Sequence, residues 1–225
     1  MVIPTVKGAV SLVPVVGGLI SEYIGLTTDL IAAKRLKEWQ DMVEEKLLKI
    51  ECDISEIANN DFFYSCVQTA TVGALKSYQT EKRKLFANAL YNSYILPDIT
   101  EEKKIIFISL IDKYTLLTIK LLQCYSKDNY EKYDARIYKE NNPDPNNKMR
   151  TYTNHGTEKP IKYLCDEIPE LAKDPQLAKT LAAQLKDDGL IEPIDFDMPT
   201  HPETNRRKRT TNLGDEFLVF ILQNK

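Results

Sequence analysis

Apolar positions recur at helical spacing through most of the first half of the chain. After Pro14, the residues Val16, Leu19, Ile20, Tyr23, Thr27, Leu30 and Ile31 fall on one helical face, with Glu22, Gly25, Asp29 and Arg35 opposite. A second stripe, Leu36, Trp39, Val43, Leu47, Ile50, Ile54 and Ile57, steps by three or four and predicts the clearest helix. Asn59-Asn60-Asp61 punctuates its end and offers an N-cap to the next helix, whose inward face is Phe63, Cys66, Val67, Ala70, Ala74 and Tyr78. TEKRKLFANALYNSYI predicts another helix, burying Leu85, Phe86, Ala89 and Leu90 and ending before Pro97. Asp98 and Glu101 have capping-box spacing ahead of EEKKIIFISLIDKYTLLTIKLLQCYS, which is apolar round most of its circumference. That all-round apolarity predicts the central helix of a bundle.

The pattern then breaks. Ser126 to Pro160 keeps no period and contains Asn-Asn-Pro-Asp-Pro-Asn-Asn, the composition of a linker or long excursion. Order returns with IKYLCDEIPELA, a helix to about Leu171, and with a second helix opened by Asp174-Pro175 and closed by Gly189. LIEPI and RKRTTNL predict two short strands around a polar loop, and Asn212 caps a final helix. The expected fold is mainly α: a multi-helix bundle over 1–126, a polar linker over 127–159, and a small winged-helix-like α+β domain over 160–225.

Composition sharpens this picture in two places. Eight glycines in 225 residues argue against a turn-rich all-β fold, and a net charge of −3 gives no general attraction for nucleic acid. The scattered Cys52, Cys66, Cys124 and Cys165 form no C-x-x-C pair, which favours reduced thiols and a cytoplasmic protein. The stretch SLVPVVGGLISEYIGLTTDLI is nearly as apolar as a membrane segment, yet Glu22 and Asp29 would be costly at mid-bilayer. It also fits a signal peptide poorly, because Pro14 and the amphipathic pattern interrupt the apolar run. It reads as a hinge at Pro14, Gly17 and Gly18, flanked by Leu12, Val13, Val15, Val16, Leu19 and Ile20. Those six either pack into the bundle or engage a membrane surface, which would recruit a cytoplasmic protein to the inner membrane.

Candidate chemistry is sparse. The run Arg206-Arg207-Lys208-Arg209 falls on the expected wing, where it could touch a partner or a phosphate backbone. Acids outnumber bases around it, so a protein partner or a second copy of the chain is expected ahead of nucleic acid. Asp195, Asp197, His201 and Glu203 lie within DFDMPTHPE, but nothing in their spacing makes them converge, and no metal or cofactor is expected. His155 and His201 are the only histidines, both in expected loops, and there is no glycine-rich phosphate loop. No set of residues predicts catalysis.

The apolar N-terminal lead, EKRKLFANALYNSYI, IIFISLIDKYTLLTIKLLQCY and the ending GLI…RKRTTNLGDEFLVFI together resemble bacterial abortive-infection proteins of the Abi-alpha type. The resemblance covers most of the chain in layout and rests mainly on packing residues. It implies a helical bundle with a winged-helix-like close, and a role in defence against phage through membrane damage and growth arrest. It brings no catalytic residues. The long stretch from Ser126 to Pro160 departs from that layout.

Overall fold

A computed structural model of the chain describes residues 30–47, 49–50, 60–129, 132, 135–136 and 156–222. These are mainly helical, and they fall into two units. The first takes the residues up to Leu116 together with those from Glu216 onward; the second is Leu117–Asp215. The hinge at Pro14, Gly17 and Gly18 and the apolar positions Leu12, Val13, Val15, Val16, Leu19 and Ile20 lie outside the described residues. No helix among the described residues is long and apolar enough to cross a membrane.

In the first unit, α1 (Leu30–Leu47) buries Leu36, Trp39, Val43 and Leu47, the face its periodicity demands. It ends at Leu47, so Ile50 of the expected stripe falls outside the helix, and Ile54 and Ile57 lie outside the described residues. Trp39 Nε1 donates to Thr71 Oγ1 at 3.1 Å, so the one polar atom of this fully buried ring is satisfied. Helix α2 (Asp61–Lys76) starts where Asn60 accepts a hydrogen bond from the Phe63 amide at 2.8 Å. Because α2 ends at Lys76, Tyr78 leaves the helical period and is 76% exposed rather than inward.

Helix α3 (Thr80–Ile95) has the bounds its sequence predicts but a different role. It is buried on every side from Leu85 to Ser93, and it is the central helix of this unit. The expected centre, Glu101 to Ser126, is instead two helices, α4 (Glu101–Lys113) and α5 (Leu116–Tyr125). Tyr114 turns extended between them (φ −86°, ψ 145°), and its fully buried ring packs edge-on to Phe217 with centroids 6.1 Å apart. An aromatic followed by β-branched Thr115 weakens helix propensity there, and burial of the ring fixes the break. Thr100, not Asp98, is the N-cap of α4, accepting from the Lys103 amide at 3.4 Å.

Polarity hid the status of α3. Asn88 Nδ2 donates to Ile221 O at 2.9 Å and Asn92 Nδ2 to Phe220 O at 2.7 Å. These carbonyls belong to the last turn of the closing helix, where backbone acceptors lack intrahelical partners. Two amides one helical turn apart thus permit polar residues in the core.

In the second unit, α6 (Pro160–Glu167) and α7 (Pro169–Ala172) replace one expected helix, because Pro169 pushes Ile168 out of the helical region (φ −129°, ψ 85°). Helix α8 (Pro175–Asp187) is capped by Asp174, which accepts from the Leu177 amide at 3.0 Å. Its end is a Schellman motif: Gly189 takes φ +74°, its amide bonds Lys186 O, and Leu190 N bonds Leu185 O. The two expected strands reduce to one antiparallel residue pair, Ile191 with Thr210, and a second isolated pair joins Glu158 to Thr200. No strand occurs among the described residues, so the α+β description of the C-terminal part is corrected to helical with isolated bridges. The stretch expected to be a polar loop forms α9 (Pro202–Arg206), started by His201 and by proline at its first position. The closing helix α10 (Asn212–Leu222) crosses the division between the units at Asp215/Glu216.

Within the second unit the Tyr125 hydroxyl is buried and has no hydrogen-bond partner among the described residues, and burial raises its pKa. An unpaired buried hydroxyl costs about 1–3 kcal/mol relative to a paired one. We therefore expect Tyr125→Phe to leave stability unchanged or raise it by about 1 kcal/mol, read as the urea midpoint. A loss of stability would reveal a partner for the hydroxyl.

Candidate functional site

The basic run is the most chemically loaded segment predicted from sequence, and the fold splits it. Arg206, the last residue of α9, is fully buried with its guanidinium 5.0 Å from the Tyr163 ring centroid. Its Nη1 donates to the Glu158 carboxylate and to Pro202 O at 3.2 Å, and its Nη2 lies 3.7 Å from Asp166. Arg209 is also buried, donating to Thr204 O at 2.9 Å. Arg207 and Lys208 turn outward, yet each faces an acid, Glu192 at 3.6 Å and Asp215 at 2.5 Å. The expected exposed patch is therefore replaced by two inward guanidiniums and two outward cations with acidic neighbours. Partners explain the split: Glu158 and the Tyr163 ring hold Arg206 inward, and Thr204 O holds Arg209.

A hydrogen-bond cluster extends from Arg206. Asn129 Nδ2 donates to the Tyr163 hydroxyl at 2.9 Å and to Cys124 O at 3.1 Å, while its amide donates to Arg206 O at 2.9 Å. Cys124 Sγ lies 3.0 Å from the Tyr163 hydroxyl. Burial pushes the Cys124 thiol up to about 11 and raises the Tyr163 hydroxyl as well. A thiol held so high stays protonated near neutral pH and is a poor nucleophile. The cluster ties Cys124 and Asn129 to α6 and α9.

The carboxylates of DFDMPTHPE are spent locally. Asp195 accepts from the amides of Asp197 and Met198, at 2.9 and 3.2 Å, a turn that a short acidic side chain forms on its own backbone. Asp197 pairs with Lys179 at 2.8 Å, which holds its carboxyl below the usual range. His201 accepts from the Glu203 amide at 3.3 Å as the cap of α9. Among the described residues no group of three or more His, Cys, Asp or Glu side chains could hold a metal ion. His155 lies outside the described residues.

In the first unit, a cavity of about 430 Å³ lies between α2 and α4, lined by Gln68, Thr69, Val72, Gly73, Lys76, Ser109 and Asp112. The Thr69 and Ser109 hydroxyls donate back to carbonyls of their own helices, and Lys76 stands 3.9 Å from Asp112. Cys66, fully buried in the same unit, is pushed up to about 11 by burial.

Sequence reasoning missed Glu158, Tyr163 and Asn129 because their stretch was read as linker or plain helix. A usable signal was present for the asparagines of α3, since two amides four apart on an apolar helix need buried acceptors. Comparison with protein-family models, with curated proteins and with solved structures found no match for this chain.

Proposed function

We propose that this chain is a non-enzymatic effector of bacterial defence against phage, held in the cytoplasm and recruited to the inner membrane through its apolar N-terminal segment. The observation that carries the membrane part is the start of α1. Leu30 is 87% and Ile31 60% exposed, and they continue in sequence from the apolar run that begins at Ser11. Large apolar side chains at the edge of a packed unit mark a contact surface when they adjoin more apolar surface. The defence part rests on the resemblance to abortive-infection proteins. The non-enzymatic part is supported by the engagement of the candidate polar groups in caps, turns and ion pairs.

The test is flotation of full-length protein with vesicles containing phosphatidylglycerol. The wild type is expected to float, and Val13→Asp with Val16→Asp to abolish flotation and relieve growth arrest on expression. Equal flotation of the two proteins, or a wild type that neither floats nor arrests growth, would sink the reading.

A second reading has its own support: a soluble interaction module in which the helical C-terminal part contacts a protein or a second copy. With Arg206 and Arg209 buried and Arg207 and Lys208 facing acids, that part offers little uncompensated positive charge to a phosphate backbone. Protein is therefore favoured over DNA. The same flotation experiment separates the readings, since this one expects the wild type to stay with the soluble fraction.

A further inference from the structure

Four helix ends meet at one pole of the first unit. Arg35 Nη1 donates to Leu75 O at 3.4 Å, which sets the start of α1 beside the end of α2. Trp39 bonding Thr71 confirms that these two helices run antiparallel. Arg83, near the start of α3, donates to Ser77 O at 2.8 Å, and Lys82 Nζ to Asp112 O at 2.9 Å, which brings in the end of α4. Leu30 lies five residues before Arg35, roughly 7.5 Å further along the helix axis. It projects past the end of α2, and Ile31 and Tyr78 lie at the same pole.

The charge there is unbalanced. Lys34, Arg35, Lys76, Lys82, Arg83 and Lys84 cluster at this pole, against Glu38, Glu81 and Asp112. Glu38 is already paired with Arg83. Lys34 and Lys76 keep most of their side-chain surface in solvent, and Lys84 is exposed. The helix dipole explains Lys76, at a C-terminus, but it disfavours exposed Lys84 in the opening turns of α3, where Arg83 is held by Glu38 and Ser77 O and Lys82 by Asp112 O. The exposed cations Lys34, Lys76 and Lys84, around exposed Leu30, Ile31 and Tyr78, fit an external surface that is both anionic and apolar. That is the chemistry of a bilayer interface, where aromatic and aliphatic side chains sit at headgroup level and lysines meet phosphates.

We propose that this pole docks on an anionic bilayer. The proposal deepens the membrane reading above, because it names the part of the folded unit that lies against the lipid and the lipid charge it requires. Each lysine near an anionic leaflet contributes roughly a five-fold factor in affinity.

The experiment uses the full chain with phosphatidylcholine vesicles, with and without phosphatidylglycerol. The pole variant is Lys34→Glu, Lys76→Glu and Lys84→Glu. A charge-matched control reverses Lys127, Lys173 and Lys186, all exposed in the second unit. Wild type and control are expected to bind only the anionic vesicles. The pole variant, with an unchanged circular dichroism spectrum and Tm, is expected to bind about 100-fold more weakly or less. Equal binding of pole and control variants overturns the proposal. Full binding by the pole variant and none by the Val13→Asp/Val16→Asp protein would leave the N-terminal reading standing and remove the pole. The converse would keep the pole and remove the N-terminal reading. A wild type that binds neither vesicle, or that instead binds duplex DNA or RNA in a manner lost in the pole variant, also overturns it.

Discussion

Gly214→Ala is expected to destabilise the protein by about 3 kcal/mol or more, although helix propensity alone predicts a gain of about 1 kcal/mol. Gly214 stands in the first turn of α10, and a Cβ there would come 2.2 Å from Leu190 O and 3.1 Å from its carbonyl carbon. The obstacle is backbone, and it is tied down. Leu190 O accepts from the Thr211 amide at 3.0 Å, Thr211 Oγ1 donates to Gly189 O at 2.7 Å and accepts from the Gly214 amide at 3.1 Å. Moving the turn aside would break the cap of α10 and disturb the Schellman end of α8 together. Urea unfolding followed by far-ultraviolet circular dichroism gives the sign directly. A stabilised variant would mean that the two backbones are not in contact.

Arg206→Leu is expected to cost about 3–5 kcal/mol, because it strands Glu158 and leaves Asp166 without its buried neighbour. The adjacent Arg207→Ala should stay within about 0.5 kcal/mol, since its pair with Glu192 is half exposed and loose at 3.6 Å. If the run were a uniform exposed patch, the two changes would behave alike. The double variant Arg206→Leu with Glu158→Leu should recover much of the loss, because a buried ion pair replaced by apolar groups of similar volume is often neutral. A double-mutant cycle reports the coupling, and a coupling near zero would refute the buried pair.

The legible part of this fold is what local periodicity and capping control. The stripe on α1 as far as Leu47, that on α2 as far as Ala74, the bounds of α3, the cap at Asn60, the Asp174-Pro175 start and the Gly189 end could all be read along the chain. Each depends on residues within a turn or two of one another. The fold failed to be legible where one side chain answers to a distant one. Tyr114 leaves its helix because Phe217 receives its ring, a partner more than a hundred residues away. Four consecutive basic residues look alike until Glu158 and Tyr163 choose Arg206. The site was less legible than the fold for the same reason. Asp195, Asp197 and His201, whose spacing did not bring them together, serve nearby amides and Lys179.

The sequence by itself determined a mainly helical protein, some of its helix starts and stops, and an apolar N-terminal segment that sets the question of membrane contact. Tertiary structure decided which helix is central, which cations are inward, and which helix ends share a pole. The physical reason is burial. A polar group in the core is tolerated only when a specific partner meets it, as Ile221 O and Phe220 O meet Asn88 and Asn92. Such partners are supplied by other segments, and the order of residues along one helix does not record them.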